Sequence, residues 1–285
     1  MIDPQNRHRE HSRVTLHLCP AVITSQGKHH RSIINQGHRC VSIDNAVDTS
    51  CVGNLKSLMD QKLVDGGSIT LVANASEYNG ALFKPLLSLG ESEKARRQVH
   101  RNDQKMFAVA HGLKRMAFGI AIGINVDLLM FGHDGRGKPY CMNKTRIKFS
   151  LSHAGGMVAV TLAQDKEVGV DIDFPRPVIC REIAHLVLSP SELEDFNKSS
   201  CKSDFFNRRW TQKEAVCKAS GLGLSANFPG FTVNDQLLPV SCPITGKDFF
   251  VETAPMHGGY ISVASEGRKP ENLIVDIDPC LTVSK

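Results

Sequence analysis

Helix-period patterning gives way to strand-period patterning twice along this chain, and that order limits its fold more than any other feature. Glu91–Val99 reads as a basic helix, and Asn102 or Asp103 can cap a second helix running to about Phe118. Strand patterns follow at Val126–Phe131, Ile147–Ser152, Met157–Leu162 and Val168–Phe174, with the turn-rich Gly132–Pro139 inside the block. Helical patterns return at Cys180–Leu188, Ser191–Asn197 and Asp204–Ser220, before strands at Phe249–Thr253, Tyr260–Ala264 and Leu273–Ile277. A doubly wound parallel sheet would alternate single strands with single helices. The repeated blocks instead predict an α+β fold of two halves, residues 65–164 and 165–285, behind an amino-terminal extension, 1–64, with little sustained periodicity.

Composition narrows the class. With 285 residues, 41% of them hydrophobic and 22% charged, the chain can bury one large core or two modest ones. The longest apolar run, Met116–Ile124, is less than half of what spans a bilayer, so no membrane association is expected. The first thirty residues carry Asp3, Arg7, Arg9, Glu10 and Arg13 without an apolar block behind them, which is unlike a secretory signal and predicts a cytoplasmic address. Nine cysteines, an odd number with no CxxC pair, read as reduced thiols packed mostly in the core. Half of the twelve histidines lie in the first forty residues at irregular spacing, a pattern that fits a solvated tail better than a metal site. The net charge of +5 permits a polyanionic ligand or an acidic partner without demanding nucleic acid.

Four segments carry chemistry. In Val168-Gly169-Val170-Asp171-Ile172-Asp173-Phe174, strand alternation puts the apolar residues on one face and both aspartates on the other. Two carboxylates 4 Å apart repel by roughly 1 kcal/mol in water and about 4 kcal/mol at an effective dielectric of 20, so either solvent or a divalent cation must offset them. Helical spacing places Trp210, Glu214 and Lys218 on one stripe, which a surface salt bridge and a core tryptophan would also explain. Phe149-Ser150-Leu151-Ser152-His153-Ala154-Gly155-Gly156 ends a strand in a Ser-His corner whose histidine can meet either a phosphate or a neighbouring carbonyl. The turn Gly135-Arg136-Gly137-Lys138-Pro139 offers backbone donors and a cation.

Taken in order, Gly137-Lys138-Pro139, Ser152-His153, Gly169-Val170-Asp171-Ile172-Asp173 and Trp210–Lys218 resemble the motifs of the 4'-phosphopantetheinyl transferase superfamily, over about residues 90 to 265. The two-half order is similar to its long, surfactin-synthetase-associated type, a monomer with pseudo-twofold symmetry. The resemblance implies Mg²⁺-dependent transfer of the phosphopantetheine arm of coenzyme A to a serine of an acyl or peptidyl carrier protein, with release of 3',5'-ADP. It implies that Asp171, Asp173 and Glu214 hold the Mg²⁺, a cation that favours oxygen ligands. His153 and Lys213 would then sit near the diphosphate, Lys218 beside the reacting phosphorus, and Lys138, Pro139 and Ser152 against the coenzyme. Glu214 would take the serine proton, directly or through a water on the metal. Lys94 and Arg97, helped by Lys105, would reach the 3'-phosphate, although Glu91 stands where relatives often carry lysine.

An acidic carrier would need a basic and apolar surface, for which residues 180–206, with Arg181, Leu186, Leu188, Phe205 and Phe206, are the candidates. Three rival readings stand beside this one: a protein that only binds coenzyme A or a carrier, a metal-dependent nucleotide phosphohydrolase using the same carboxylates, and a basic nucleic-acid-binding module that rests on net charge and Arg-rich helices. The last lacks interleaved aromatics.

Overall fold

Two sheets pack face to face, with helices on the outer side of each. The structure, a computed structural model, describes residues 13–18, 49–78, 83–176, 181–223, 227–235, 238–242, 244–267 and 272–279. Its elements in chain order are β1 (Arg13–Leu18), α1 (Thr49–Val64), β2 (Ser68–Asn74), α2 (Leu89–Arg96), α3 (Arg101–Ile122), β3 (Phe131–His133), β4 (Pro139–Cys141), β5 (Ile147–Ala154) and β6 (Met157–Gln164). Then come β7 (Val168–Asp173), α4 (Arg181–Val187), α5 (Pro190–Lys198), α6 (Lys202–Ser220), β8 (Val240–Ser241), β9 (Asp248–Met256), β10 (Gly259–Glu266) and β11 (Asn272–Pro279).

The first sheet has the order β1-β11-β2-β6-β5 and the second β7-β10-β9-β8, with β3 and β4 as a separate hairpin. Within them a unit recurs: β2 pairs antiparallel with β6 and β6 with β5, just as β7 pairs with β10 and β10 with β9. Each unit contributes one long helix, α3 or α6. This is the α+β two-half architecture, with a cross-sheet core between the halves. Val72, Ala159 and Ala163 of the first sheet meet Val168, Val170, Ile172, Ile261 and Val263 of the second. On the outer faces, Val109, Leu113 and Phe118 of α3 cover the first sheet and Ala215, Val216 and Ala219 of α6 cover the second.

Several expectations change. β11 leaves the second half and pairs parallel with β2, because the free edge of β2 is the one its alternating Leu273, Val275 and Ile277 can cover while packing in the first core. Residues 49–64, expected to be part of an undefined extension, form α1, whose Leu55, Met59 and Leu63 repeat at helical spacing and are buried in that core; the other expectations for 1–64 outside β1 fall beyond the described residues. Val126–Phe131 is not one strand. Asn125 accepts the N–H of Asp127 and starts a 3-10 turn at Val126–Leu128, and only Phe131 enters β3. The second helix begins at Arg101 behind His100, without a side-chain cap from Asn102 or Asp103, whereas Ser88 and Glu91 close a reciprocal capping box on α2. Cys141, Cys201, Cys217 and Cys242 are free thiols, of which Cys217 and Cys242 are buried, Cys141 is half-buried and Cys201 is exposed. Among the described residues, no helix is long and apolar enough to cross a membrane.

Candidate active site

Gly169 decides how close β7 comes to α6. A Cβ built on it would stand 2.0 Å from the Ala215 carbonyl oxygen and 2.4 Å from the Ala219 nitrogen, so helix backbone rests directly on strand backbone there. Asp171 and Asp173, on the same face of β7 as Gly169, therefore point along the helix surface that carries Glu214 and Lys218. Gly169→Ala is expected to force the two elements apart. A cost of roughly 1–3 kcal/mol or more, typical of overpacking, should appear as a lowered melting temperature. An unchanged melting temperature and unchanged activity would show that the close approach is dispensable.

The opposite wall comes from β5. Its turn into β6, Gly155-Gly156, takes positive φ at both residues (+55° and +87°), as a type I′ two-residue hairpin requires, and a Cβ at Gly155 would strike the Phe174 ring at 2.5 Å. Tight turning keeps Ser152 and His153 beside β7. Ser152 Oγ donates to Asp171 Oδ1 (2.9 Å) and Lys218 Nζ donates both to Asp171 Oδ1 (2.7 Å) and to Ser152 Oγ (2.9 Å).

One cavity of about 330 Å³ results, lined by Ser152, His153, Asp171, Asp173, Arg176, Trp210, Glu214 and Lys218 among others. Burial pushes the Asp171 carboxyl above the ordinary carboxylate range, against the pull of Lys218. Burial and then the Asp171 charge push Glu214 up as well, with Lys218 opposing and Asp173 adding. His153 is held below its usual value by desolvation and by the Lys218 ammonium. Among the described residues no group of three His, Cys, Asp or Glu stands assembled to hold a metal ion. The donor set nevertheless fits a hard cation in its chemistry: three oxygen-only carboxylates face one cavity and repel each other, while Lys218 pairs with Asp171 alone among them and Arg176 is the other cation of the lining.

Other expected ligands lie elsewhere. Lys213 is fully buried, its ammonium 2.8 Å from Glu192 Oε2 and donating to the carbonyls of Phe228 and Phe231. The reason is angular: one residue along a helix turns about 100°, so with Glu214 on the cavity stripe Lys213 faces α5. Lys138 donates to Glu167 Oε2 (2.5 Å) and to the Ala219 carbonyl (2.6 Å), and with Pro139 lines a different, smaller cavity. Two cavity residues were missed by sequence reasoning: Arg176 gives no motif signal, and Trp210, read as core, is half-buried and stacked with Phe206 (6.4 Å) and Phe228 (5.3 Å). Its place on the Glu214–Lys218 stripe was the available signal.

A larger cavity, about 610 Å³, lies between α2, α3 and the β3–β4 hairpin, with apolar walls (Met130, Phe131, Phe149, Leu151) and Lys94, Pro139 and His133 at its margin. Its floor is a charge cluster in which Glu91 meets Lys114 (2.7 Å), Arg115 (3.2 Å) and His111 (3.2 Å). Burial raises the Glu91 carboxyl, but the His111 contact and the Lys114 charge outweigh it and hold the group far below its ordinary value. So the acid standing where a lysine was expected is the counter-ion of three basic side chains. Arg97 is exposed outside this cavity, and Lys105 donates to the Ser76 carbonyl (2.9 Å).

Of the residues expected to contact a carrier, Leu188 and Phe206 are buried, in a small core with Ala184, Val187 and Phe196 against which Phe205 packs. Arg181 and Leu186 are exposed, as is Ile183 on the same helix.

Two family models match the chain: residues 74–165 fit "4'-phosphopantetheinyl transferase, N-terminal" and residues 167–254 fit "4'-phosphopantetheinyl transferase superfamily". The chain is 29% identical over 172 residues to a 4'-phosphopantetheinyl transferase of Bacillus subtilis, covering 59% of this chain and 76% of the relative. It is 28% identical over 145 residues to 4'-phosphopantetheinyl transferase HetI of a Nostoc strain, covering 49% of this chain and 61% of that protein. With the L-aminoadipate-semialdehyde dehydrogenase-phosphopantetheinyl transferase of Schizosaccharomyces pombe the figures are 30% over 158 residues, 50% and 61%. The chain thus spans less than two thirds of the length of the latter two.

Proposed function

The chain belongs to the 4'-phosphopantetheinyl transferase superfamily, and from that membership we propose that it transfers the phosphopantetheine arm of coenzyme A to a serine of an apo carrier protein. The observation that carries this reading is the single cavity in which β5, β7 and α6 bring together Ser152, His153, Asp171, Asp173, Glu214 and Lys218.

Asp171, Asp173 and Glu214 are the side chains that would hold Mg²⁺, which when bound supplies charge neutralisation for the coenzyme diphosphate. The carrier serine attacks the β-phosphorus; its Oγ–P bond forms as the bond from phosphorus to the oxygen bridging to the nucleotide breaks, and 3',5'-ADP leaves with the bonding pair. Glu214 accepts the serine proton: burial and its acidic neighbours raise its basicity, which suits that role. Lys218 and His153, which line the same cavity, offset charge on the leaving diphosphate end. The larger cavity suits the nucleotide, whose base meets the apolar wall while Lys94 reaches toward the 3'-phosphate, with Arg97 outside it.

Exposed Arg181, Ile183 and Leu186 on α4, with Arg176 at the cavity, form the surface for an acidic carrier helix. Both halves of one chain contribute cavity residues, which supports a monomer, and a cytoplasmic place of action is part of the same reading. Incubation with coenzyme A, Mg²⁺ and a panel of apo-carriers, read by mass spectrometry, tests it: the carrier should gain one phosphopantetheine with equimolar 3',5'-ADP. Nucleotide released without a carrier would indicate a hydrolase, and unmodified carriers across the panel a binding protein.

A further inference from the structure

Three charged groups meet behind the cavity: one just before β7, one on β5 and one from the β3–β4 turn. Glu167 directly precedes β7, the strand of Asp171 and Asp173, so it sits about 13 Å along the chain from Asp171. Lys148 stands on β5 four residues before Ser152 and reaches Glu167 Oε1 at 3.4 Å. Lys138, from β3–β4, reaches Glu167 Oε2 and also the carbonyl of Ala219 in the last turn of α6, directly after Lys218.

The contact with Ala219 has a specific physical content. A helix end leaves its last carbonyls without intrahelical donors, and a lysine ammonium there satisfies one of them and meets the negative end of the helix dipole. The β3–β4 turn is shaped to deliver it: Asp134 Oδ1 accepts the N–H groups of Arg136 and Lys138, and Gly137 takes φ +86°. At the receiving end Gly221, at φ +70°, leaves room for the Lys138 stem, which a Cβ there would meet at 3.4 Å. Two of the three ammonium donors of Lys138 are thus engaged, and it does not line the carboxylate cavity.

We propose that Glu167, Lys138 and Lys148 form a clasp that holds β5, β7 and α6 in mutual register for catalysis, making Lys138 and Glu167 positioning residues and not ligands of the coenzyme. This rests on the transferase reading for its kinetic test and on geometry alone for its structural one. A shift of 1 Å between β7 and α6 would misplace Asp171 and Asp173 against Glu214 and Lys218, and displacements of that size cost up to about 100-fold in rate.

Lys138→Met is expected to lower kcat about tenfold or more with KM for coenzyme A within about twofold of wild type, the signature of lost transition-state geometry. Lys138→Arg, which can donate to both Glu167 and Ala219, should restore most of kcat. Glu167→Lys, which repels both lysines from a half-exposed position, should reproduce the loss and serves if Lys138→Met does not fold. Amide hydrogen exchange of residues 169–173 and 214–219 gives a readout independent of activity: faster in Lys138→Met and Glu167→Lys, restored in Lys138→Arg. A raised KM with unchanged kcat would make Lys138 a coenzyme ligand and overturn the clasp, as would wild-type exchange in these variants. If the wild-type protein modifies no carrier, the transfer reading fails while the exchange experiment still decides the clasp.

Discussion

Glu214→Gln should lower carrier modification by about 10²–10⁴-fold, the range for loss of a positioned general base, while leaving the fold as stable as before or slightly more so. The second half of that expectation is what makes the test specific. Among the described residues Glu214 has neither a hydrogen-bond nor an ion-pair partner; burial disfavours its charge, Asp171 and Asp173 repel it, and Lys218 offsets these only in part. An isosteric, neutral side chain removes the repulsion and leaves no other group unpaired, so the melting temperature should hold or rise. Asp171→Ala differs. Asp171 is 6% exposed and accepts from both Ser152 and Lys218, so its removal strands a half-buried ammonium and costs stability along with activity. Mass spectrometry of the carrier beside thermal melts of both variants separates the cases. A Glu214→Gln enzyme within about threefold of wild type would remove Glu214 from the proton transfer.

The parts of this site visible in the sequence are those set by local periodicity. Alternation along β7 separated Val168, Val170 and Ile172 from Asp171 and Asp173 onto opposite faces, because a strand repeats every two residues whatever it packs against; that the first face meets the other sheet and the second lines the cavity with α6 came only with the structure. The Trp210–Glu214–Lys218 stripe is equally local. Lys213 shows the limit: motif spacing grouped it with Glu214, but its direction is fixed by the one-residue turn of the helix and its partner, Glu192, lies in α5. Lys138 lies further out of reach, since its two partners are 29 and 81 residues away and nothing in a Gly-Lys-Pro turn says which helix end it will meet. Sheet membership was also hidden. The strand signal of residues 273–277 was plain, yet periodicity carries no information about which open edge a strand will take, and β11 closes on β2.

Lys213→Met is the substitution expected to damage stability most, and it separates an architectural lysine from a phosphate-binding one. Its side chain is fully buried and its partner Glu192 is 3% exposed, so neutralising the ammonium leaves a carboxylate in the interior with its counter-ion gone. Glu192 is tied in further: it accepts the Ser189 N–H at 2.7 Å as the capping box of α5 and the Val233 N–H at 2.8 Å, while Lys213 itself holds the carbonyls of Phe228 and Phe231. Breaking a buried pair from one side costs about 3–5 kcal/mol, more than the pair contributes relative to an apolar replacement, because the remaining charge has nowhere to go. At about 2–4 °C per kcal/mol for a chain near this size, the melting temperature should fall by about 10 °C. Adding Glu192→Gln should recover part of the loss, making the double variant less destabilised than the sum of the singles. Below its melting transition the Lys213→Met protein should keep the wild-type KM for coenzyme A, since Lys213 lines none of the three cavities described above. A raised KM with an unshifted melting curve would place Lys213 on the coenzyme after all, and the cavity drawn by Asp171, Glu214 and Lys218 would then be incomplete.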